Sequence, residues 1–226
     1  GFGKGAFKST DNGDTWRPCN VGIEFEYPLA WRMTRADDGT LYLVIVRKHE
    51  WGERKPSGLG AIYRSTDGAE SWERMSLPHG TDGPCGITLD PADNRRMYLA
   101  AWGRVTSQAD VGGGIFLSED AGNTWRNLLS RDQHIYDVTI DARNGTAYAC
   151  GFESSAYRSP DRGETWERIK GFNYRWSHRV IPDPNDPGMI YIATFGGGIW
   201  YGPAAGDPDA PEDIVTHIPK KTDQAG

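Results

Sequence analysis

Long apolar runs are missing from these 226 residues. None approaches the roughly 20 residues a helix needs to cross a bilayer, which excludes a helical membrane span. The chain opens at Gly1 with neither an initiator Met nor a signal-type segment, so the true N-terminus is expected upstream. Cysteine is scarce: Cys19, Cys85 and Cys150 are far apart, match no metal-binding spacing, and allow at most one disulfide. Basic tracts are also lacking. With 25 Lys and Arg against 31 Asp and Glu, the formal charge is -6, which excludes nucleic-acid binding driven by charge alone.

Glycine, proline and aromatics are plentiful instead. The 29 Gly, 14 Pro and 12% aromatic residues suit many short strands joined by tight turns, and the chain reads as all-β. One octapeptide recurs: "STDNGDTW" from Ser9, "STDGAESW" from Ser65, "SEDAGNTW" from Ser118 and "SPDRGETW" from Ser159. Two residues before each Ser stands an aromatic, Phe7, Tyr63, Phe116 or Tyr157, and "GGGIWYG" places Trp200 at a fifth such point without a box. The spacings between these aromatics are 56, 53, 41 and 43, around the roughly 40 to 50 residues of a propeller blade.

Within one period, "GITLDP", "RMYLAAW", "GGIFLS" and "NTWRNLL" read as four strands, A to D, separated by turn residues. The expected fold is a β-propeller of four-stranded antiparallel blades. Residues 1–202 hold strands C and D of one blade, three full blades, and strands A to C of a last one. Residues 203–226 form a Pro-rich linker or tail, with "DIVTHIP" from Asp213 as a possible final strand. Joining the two ends would leave a surplus strand C, so the chain is read as the C-terminal part of a larger propeller, its remaining blades missing here. A four- or five-bladed closure is the alternative. A fragment of this kind is expected to expose apolar surface at its first and last sheets and to associate.

The pattern Ser-x-Asp-x-Gly-x-Thr-Trp resembles the Asp-box, or bacterial neuraminidase repeat, of sialidases, xyloglucan-degrading endoglucanases and sortilin-type receptors. The second box departs from it with Ala69 for Gly and Ser71 for Thr. The resemblance implies that the box is the C–D hairpin and that function sits at the other end of the blades, on the B–C and D–A loops. Turn chemistry agrees: Asp and Ser oxygens accept backbone N–H bonds, Gly supplies positive φ, and Trp packs on the blade. Asp11, Asp67, Asp120 and Asp161 are therefore read as structural, and Trp16, Trp72, Trp125 and Trp166 as equivalent and largely buried.

The loops of the other end carry Trp51, Trp102, Tyr174 and Trp176 beside Glu24, Glu26, Glu50, Asp82, Arg104, Asp110, Asp132 and Arg175. Aromatic rings stack on the C–H faces of a sugar while carboxylates and guanidiniums bind its hydroxyls. Trp51, Trp102, Arg104, Asp132, Tyr174, Arg175, Trp176 and His178 are the candidate substrate-binding residues. Glu50 and Asp82 are the candidate catalytic carboxylates, since glycoside hydrolysis uses two that face each other across the sugar. His49, His79, His134 and His178 fall at the same end, but no two have close ligand spacing, so no metal and no cofactor is assigned. The nearest text to a sialidase Arg-Ile-Pro is "RVIP", Arg179 to Pro182, with one residue too many.

The leading functional reading, carried mostly by the resemblance, is a glycoside-hydrolase-like protein acting on or binding an extracellular carbohydrate, placed outside the cell or in a periplasm. A noncatalytic propeller that binds or assembles proteins is the alternative. A metal-assisted polysaccharide lyase using the histidine-bearing loops is a third.

Overall fold

The computed structural model describes residues 1, 3–47, 59–105, 110–129, 134–152 and 155–210. Among them are strands and turns and no helix. Strands β1 (Phe7–Lys8) and β2 (Arg17–Pro18) form an antiparallel pair. The next sheet is β3 (Ala30–Arg35), β4 (Leu41–Ile45), β5 (Ala61–Ser65) and β6 (Glu73–Met75), paired in chain order. Then come β7 (Pro84–Asp90) and β8 (Asp93–Ala101), the small hairpin of β9 (Arg104–Val105) and β10 (Asp110–Val111), and β11 (Gly114–Ser118) and β12 (Arg126–Leu129). A fourth sheet holds β13 (His134–Ile140), β14 (Ala147–Phe152), β15 (Ser155–Ser159) and β16 (Glu167–Arg168). The last holds β17 (Ser177–Pro182), β18 (Met189–Thr194) and β19 (Ile199–Pro203).

Each sheet is an antiparallel meander, a blade, and the inner strands β3, β7, β13 and β17 lie side by side in that order. The fold is a β-propeller. Alternation along each strand sends one set of side chains to the preceding blade and the other to the following one, so the core is a series of layers between neighbours. Leu43, Ile45 and Tyr63 meet Ala6 and Cys19 of the first pair. Tyr42, Val44 and Ile62 meet Ile87, Leu99 and Phe116. Tyr98, Ile115 and Leu117 meet Ile135, Val138 and Ala149, and Tyr148, Cys150 and Ala156 meet Val180, Ile190 and Ile192. No such layer joins the first and last blades among the described residues.

The four boxes close the β1–β2, β5–β6, β11–β12 and β15–β16 hairpins, all at one end of the blades. In the third box, Gly122 N donates to Ser118 Oγ at 2.7 Å, Thr124 N to Asp120 Oδ1 at 2.8 Å, and Thr124 Oγ1 to Asp120 Oδ2 at 2.6 Å. The other three repeat these bonds with their own residues. The hydroxyl and backbone donors of Thr15, Thr124 and Thr165 hold Asp11, Asp120 and Asp161 down at about 2, and Ser71 lowers Asp67 likewise. Two successive residues after each Asp have positive φ: Asn12–Gly13, Gly68–Ala69, Ala121–Gly122 and Arg162–Gly163. The second box thus puts its Gly first and leaves Ala69 in the left-handed region at φ 68°, where a Cβ is strained.

The box tryptophans correct the expectation of equal burial. Trp72 is buried and Trp125 and Trp166 are half-buried, whereas Trp16 is 62% exposed. The reason is that a box Trp rests on the preceding blade. Trp72 Nε1 donates to Cys19 O and Trp125 Nε1 to Ser76 O, both one blade back, and Trp166 packs on the layer containing Tyr98 and Leu117. Trp16 has no described blade before it to rest on; its Nε1 donates to Gly13 O of its own box, as Trp166 Nε1 does to Gly163 O.

Two outcomes are expected. Ala69→Gly relieves the left-handed Cβ and raises stability by about 0.5–1 kcal/mol, roughly 1–4 °C in Tm, which a thermal melt reads. Because the box carboxylates titrate lower folded than unfolded, their contribution is complete above the unfolded value near about 4 and is lost as pH falls through about 2. Urea titrations across that range should show a shallower pH slope for Asp120→Asn than for wild type.

Candidate functional site

The end opposite the boxes is built by one irregularity repeated in four blades. The inner strand pairs with its neighbour in regular register, then skips one residue: Trp31 between Ala30 and Arg32, Cys85 between Pro84 and Gly86, Tyr136 between Ile135 and Asp137, His178 between Ser177 and Arg179. A bulge of this kind re-aims the surplus side chain. Three of the four surplus residues meet: His178 lies edge-on to Trp31, with ring centroids 5.7 Å apart, and to Tyr136 at 5.6 Å. The fourth, Cys85, is buried, and burial pushes its thiol up to about 12.

A second tier comes from the residue at the end of each second strand, Phe152 as the last of β14 and Trp102 and Phe195 just after β8 and β18. Their backbones are tied to the entering loops, with Trp102 N donating to Gly83 O and Phe195 N to Trp176 O, and Phe152 bridging to Trp176. The two tiers merge. Trp102 stacks on Phe152 at 5.2 Å and meets Tyr136 and His134 edge-on at 4.9 and 4.8 Å. Phe152 stacks on Trp176 at 5.4 Å with 12° between the planes, and Tyr174 meets Trp176 edge-on at 6.3 Å. Phe195 closes the set on His178 at 5.0 Å and Tyr136 at 5.5 Å.

Beneath this surface lies one buried carboxylate, on the residue after Tyr136. Asp137, buried on β13, accepts from Arg32 of β3 through Oδ1 and from Val180 N of β17 through Oδ2 at 3.2 Å, with Arg179 Nε 3.7 Å from Oδ2. Three inner strands are thereby tied through one carboxylate. Burial, and then the Arg32 charge, lower the basicity of His178 against the opposing pull of Asp137, which favours the neutral imidazole near pH 7. Its Nε2 and the Trp176 Nε1 are shut from solvent with no partner among the described residues.

Of the residues singled out from sequence, Trp102, Tyr174, Trp176 and His178 lie in this one cluster. Arg175 sits among them, its carbonyl accepting from Ser155 N. Asp82 is buried beside it: Arg47 Nη1 donates to its Oδ1 at 2.8 Å, Arg47 Nη2 to Gly103 O, and the next residue, Gly83, holds the Trp102 amide. Glu50, Trp51 and Asp132 lie outside the described residues, as does the side chain of Arg104. Asp11, Asp67, Asp120 and Asp161 are all at the far end, inside their turns. Sequence reading missed Trp31, Tyr136, Phe152 and Phe195. Laying the inner strands one on another was the signal available, since "AWR", "IYD" and "SHR" put an aromatic ring or imidazole before a charged residue at one register. Among the described residues no three His, Cys, Asp or Glu side chains converge to hold a metal ion, and no helix is long and apolar enough to cross a membrane.

No family profile matches the chain. It is similar to xyloglucanase Xgh74A of Acetivibrio thermocellus, 30% identical over 172 residues that cover 61% of this chain and 19% of that protein. It therefore spans about a fifth of that relative's length. Among solved structures, the GH74 xyloglucanase of Xanthomonas campestris superposes with a TM-score of 0.67 at 19% identity, covering 88% of this chain and 33% of that one. YCF48 bound to D1 peptide superposes with a TM-score of 0.59 at 16% identity, covering 91% of this chain and 60% of that one. By sequence this chain is similar to xyloglucanases over part of its length, and by fold it shares propeller blades with a xyloglucanase and with YCF48.

Proposed function

We propose that this chain supplies Asp-box blades to an extracellular, glycoside-hydrolase-like propeller that binds a polysaccharide of the xyloglucan kind along its loop end. The observation that carries the reading is the continuous aromatic cluster from Trp102 through Phe152 to Trp176 and Tyr174. Ring faces of this kind stack on pyranose C–H faces, and the names of the sequence relatives point to the same substrate. Trp51, Trp102, Tyr174 and Trp176 are the proposed stacking residues, with Arg104, Asp132, Arg175 and His178 as hydroxyl partners. Glu50 and Asp82 are the proposed acid–base pair. The Arg47 ion pair fixes the direction of the Asp82 carboxylate next to the Trp102 backbone, which suits a group that must be aimed at a water or an anomeric carbon.

A second reading, a noncatalytic module that binds a protein segment, is favoured by the likeness to a peptide-bound YCF48 and by the burial of Asp82 in its ion pair. Calorimetry and turnover assays on xyloglucan oligosaccharides separate the two. Trp102→Ala and Trp176→Ala, checked for unchanged melting, should each weaken binding by about 1 kcal/mol or more, roughly fivefold in Kd. Asp82→Asn and Glu50→Gln should cut turnover far more than binding. Unchanged binding in every loop variant, with losses confined to folded box variants, would put function at the other end of the blades.

A further inference from the structure

One imidazole joins three sheets at the loop end. His178, the surplus residue of β17, meets Trp31 of β3 edge-on at 5.7 Å, Tyr136 of β13 at 5.6 Å and Phe195, just after β18, at 5.0 Å. Its backbone is tied to the same place, since His178 O accepts from Arg32 Nη2 of β3 at 3.5 Å. β3 and β17 are separated by β7 and β13 in the order of the inner strands, so these contacts reach across the axis of the blades.

The charges around the ring are unequal. Arg32 acts on it from β3 and Arg179 from its own strand, and Asp137 of β13 is the carboxylate that opposes them. Asp137 is already engaged: it accepts from Arg32 and from Val180 N, with Arg179 Nε 3.7 Å from its Oδ2. A protonated His178 is thus a third cation beside one carboxylate.

Hydrogen bonding disfavours the charged form as well. Both ring nitrogens carry a proton in an imidazolium, and Nε2 is shut from solvent with no acceptor among the described residues, so its N–H would be buried and unbonded. Ring faces attract a cation, but the balance here runs the other way. Burial, and then Arg32, hold His178 below its ordinary value near 6.5 against the pull of Asp137. Swung out of the cluster, the imidazole recovers water and its ordinary basicity.

We propose that His178 is an acid-sensitive latch: neutral, it joins Trp31, Tyr136 and Phe195 across the axis, and protonated, it leaves them and opens the loop end. The closed form binds a proton less readily than the open one, so closure is strongest above about 6.5 and weakens as pH falls below that value. The closed-to-open ratio drops by up to about tenfold per pH unit. No ligand takes part, so the latch stands or falls apart from the carbohydrate reading.

Proton NMR of the full chain between about pH 7.5 and about pH 4.5 is the test. Cross-peaks from the His178 ring to the rings of Trp31 and Phe195 should be present at the upper end and fade along the titration curve of His178, whose midpoint should lie below about 6.5. Far-UV spectra should stay constant over the range. Two variants keep the test specific. His178→Phe keeps a ring at the site without a titrating nitrogen, and its contacts with Trp31 and Phe195 should be the same at both ends of the range. Arg179→Gln, at an exposed position, removes one opposing cation and should raise the midpoint while leaving the contacts at the upper end in place. A midpoint at or above the ordinary value, cross-peaks that persist once His178 is charged, or contacts that still fade in His178→Phe would each overturn the proposal. So would an unmoved midpoint in Arg179→Gln, or loss of the far-UV signal before His178 is charged.

Discussion

A strand that carries one residue more than its neighbour can pair must push that residue out of the ladder, and the direction of the push is set by the sheet. In this molecule the same surplus occurs at the same register in four inner strands. Trp31, Cys85, Tyr136 and His178 are expelled at one end of the blades, and beside them the buried Asp137 gathers Arg32 and the Val180 amide. The first tier of the aromatic cluster, Trp31, Tyr136 and His178, and the placing of Asp137 beside it therefore follow from one backbone device. Without the bulges, regular alternation would send each of these side chains to the opposite face of its strand.

The two ends of the blades divide the work by chemistry. At the box end, short side chains close on their own backbone, and the carboxylates of Asp11, Asp67, Asp120 and Asp161 are spent on donors within five residues. Such groups have little left to offer a ligand. At the loop end the side chains are long and aromatic, the imidazole of His178 is shifted toward its neutral form by burial and by Arg32, and the contacts are ring to ring. That surface is preorganised: Phe152 is gripped between Trp102 and Trp176, so a ligand stacking there need not order it.

How much of this could be read from the sequence follows from the range of the interactions. The boxes were legible because Asp, Gly and Thr act within five residues of one another, and the blade repeat was legible because the boxes recur. Trp102, Tyr174, Trp176 and His178 were assigned to one end because strand order alone decides which loops share an end. Trp16 went wrong for the opposite reason: its burial depends on a neighbouring blade, which no local pattern encodes. Asp82 was legible as a loop carboxylate but not as the partner of Arg47, 35 residues away. Tyr136, Phe152, Phe195 and Trp31 were missed because a bulge breaks the alternation that marks a strand, and a broken alternation reads as noise until the four inner strands are compared.

The central claim is that ligand chemistry belongs to the aromatic loop end and that the boxes are scaffold. Trp16, Trp72, Trp125 and Trp166 lie at the box end and Trp102 and Trp176 at the loop end, so their indole N–H resonances report on both at once. In a titration with xyloglucan oligosaccharides, the account predicts that the Trp102 and Trp176 signals shift with a common saturation curve while those of Trp16, Trp72, Trp125 and Trp166 stay in place. Saturable shifts confined to the box tryptophans, with Trp102 and Trp176 unmoved, would contradict it.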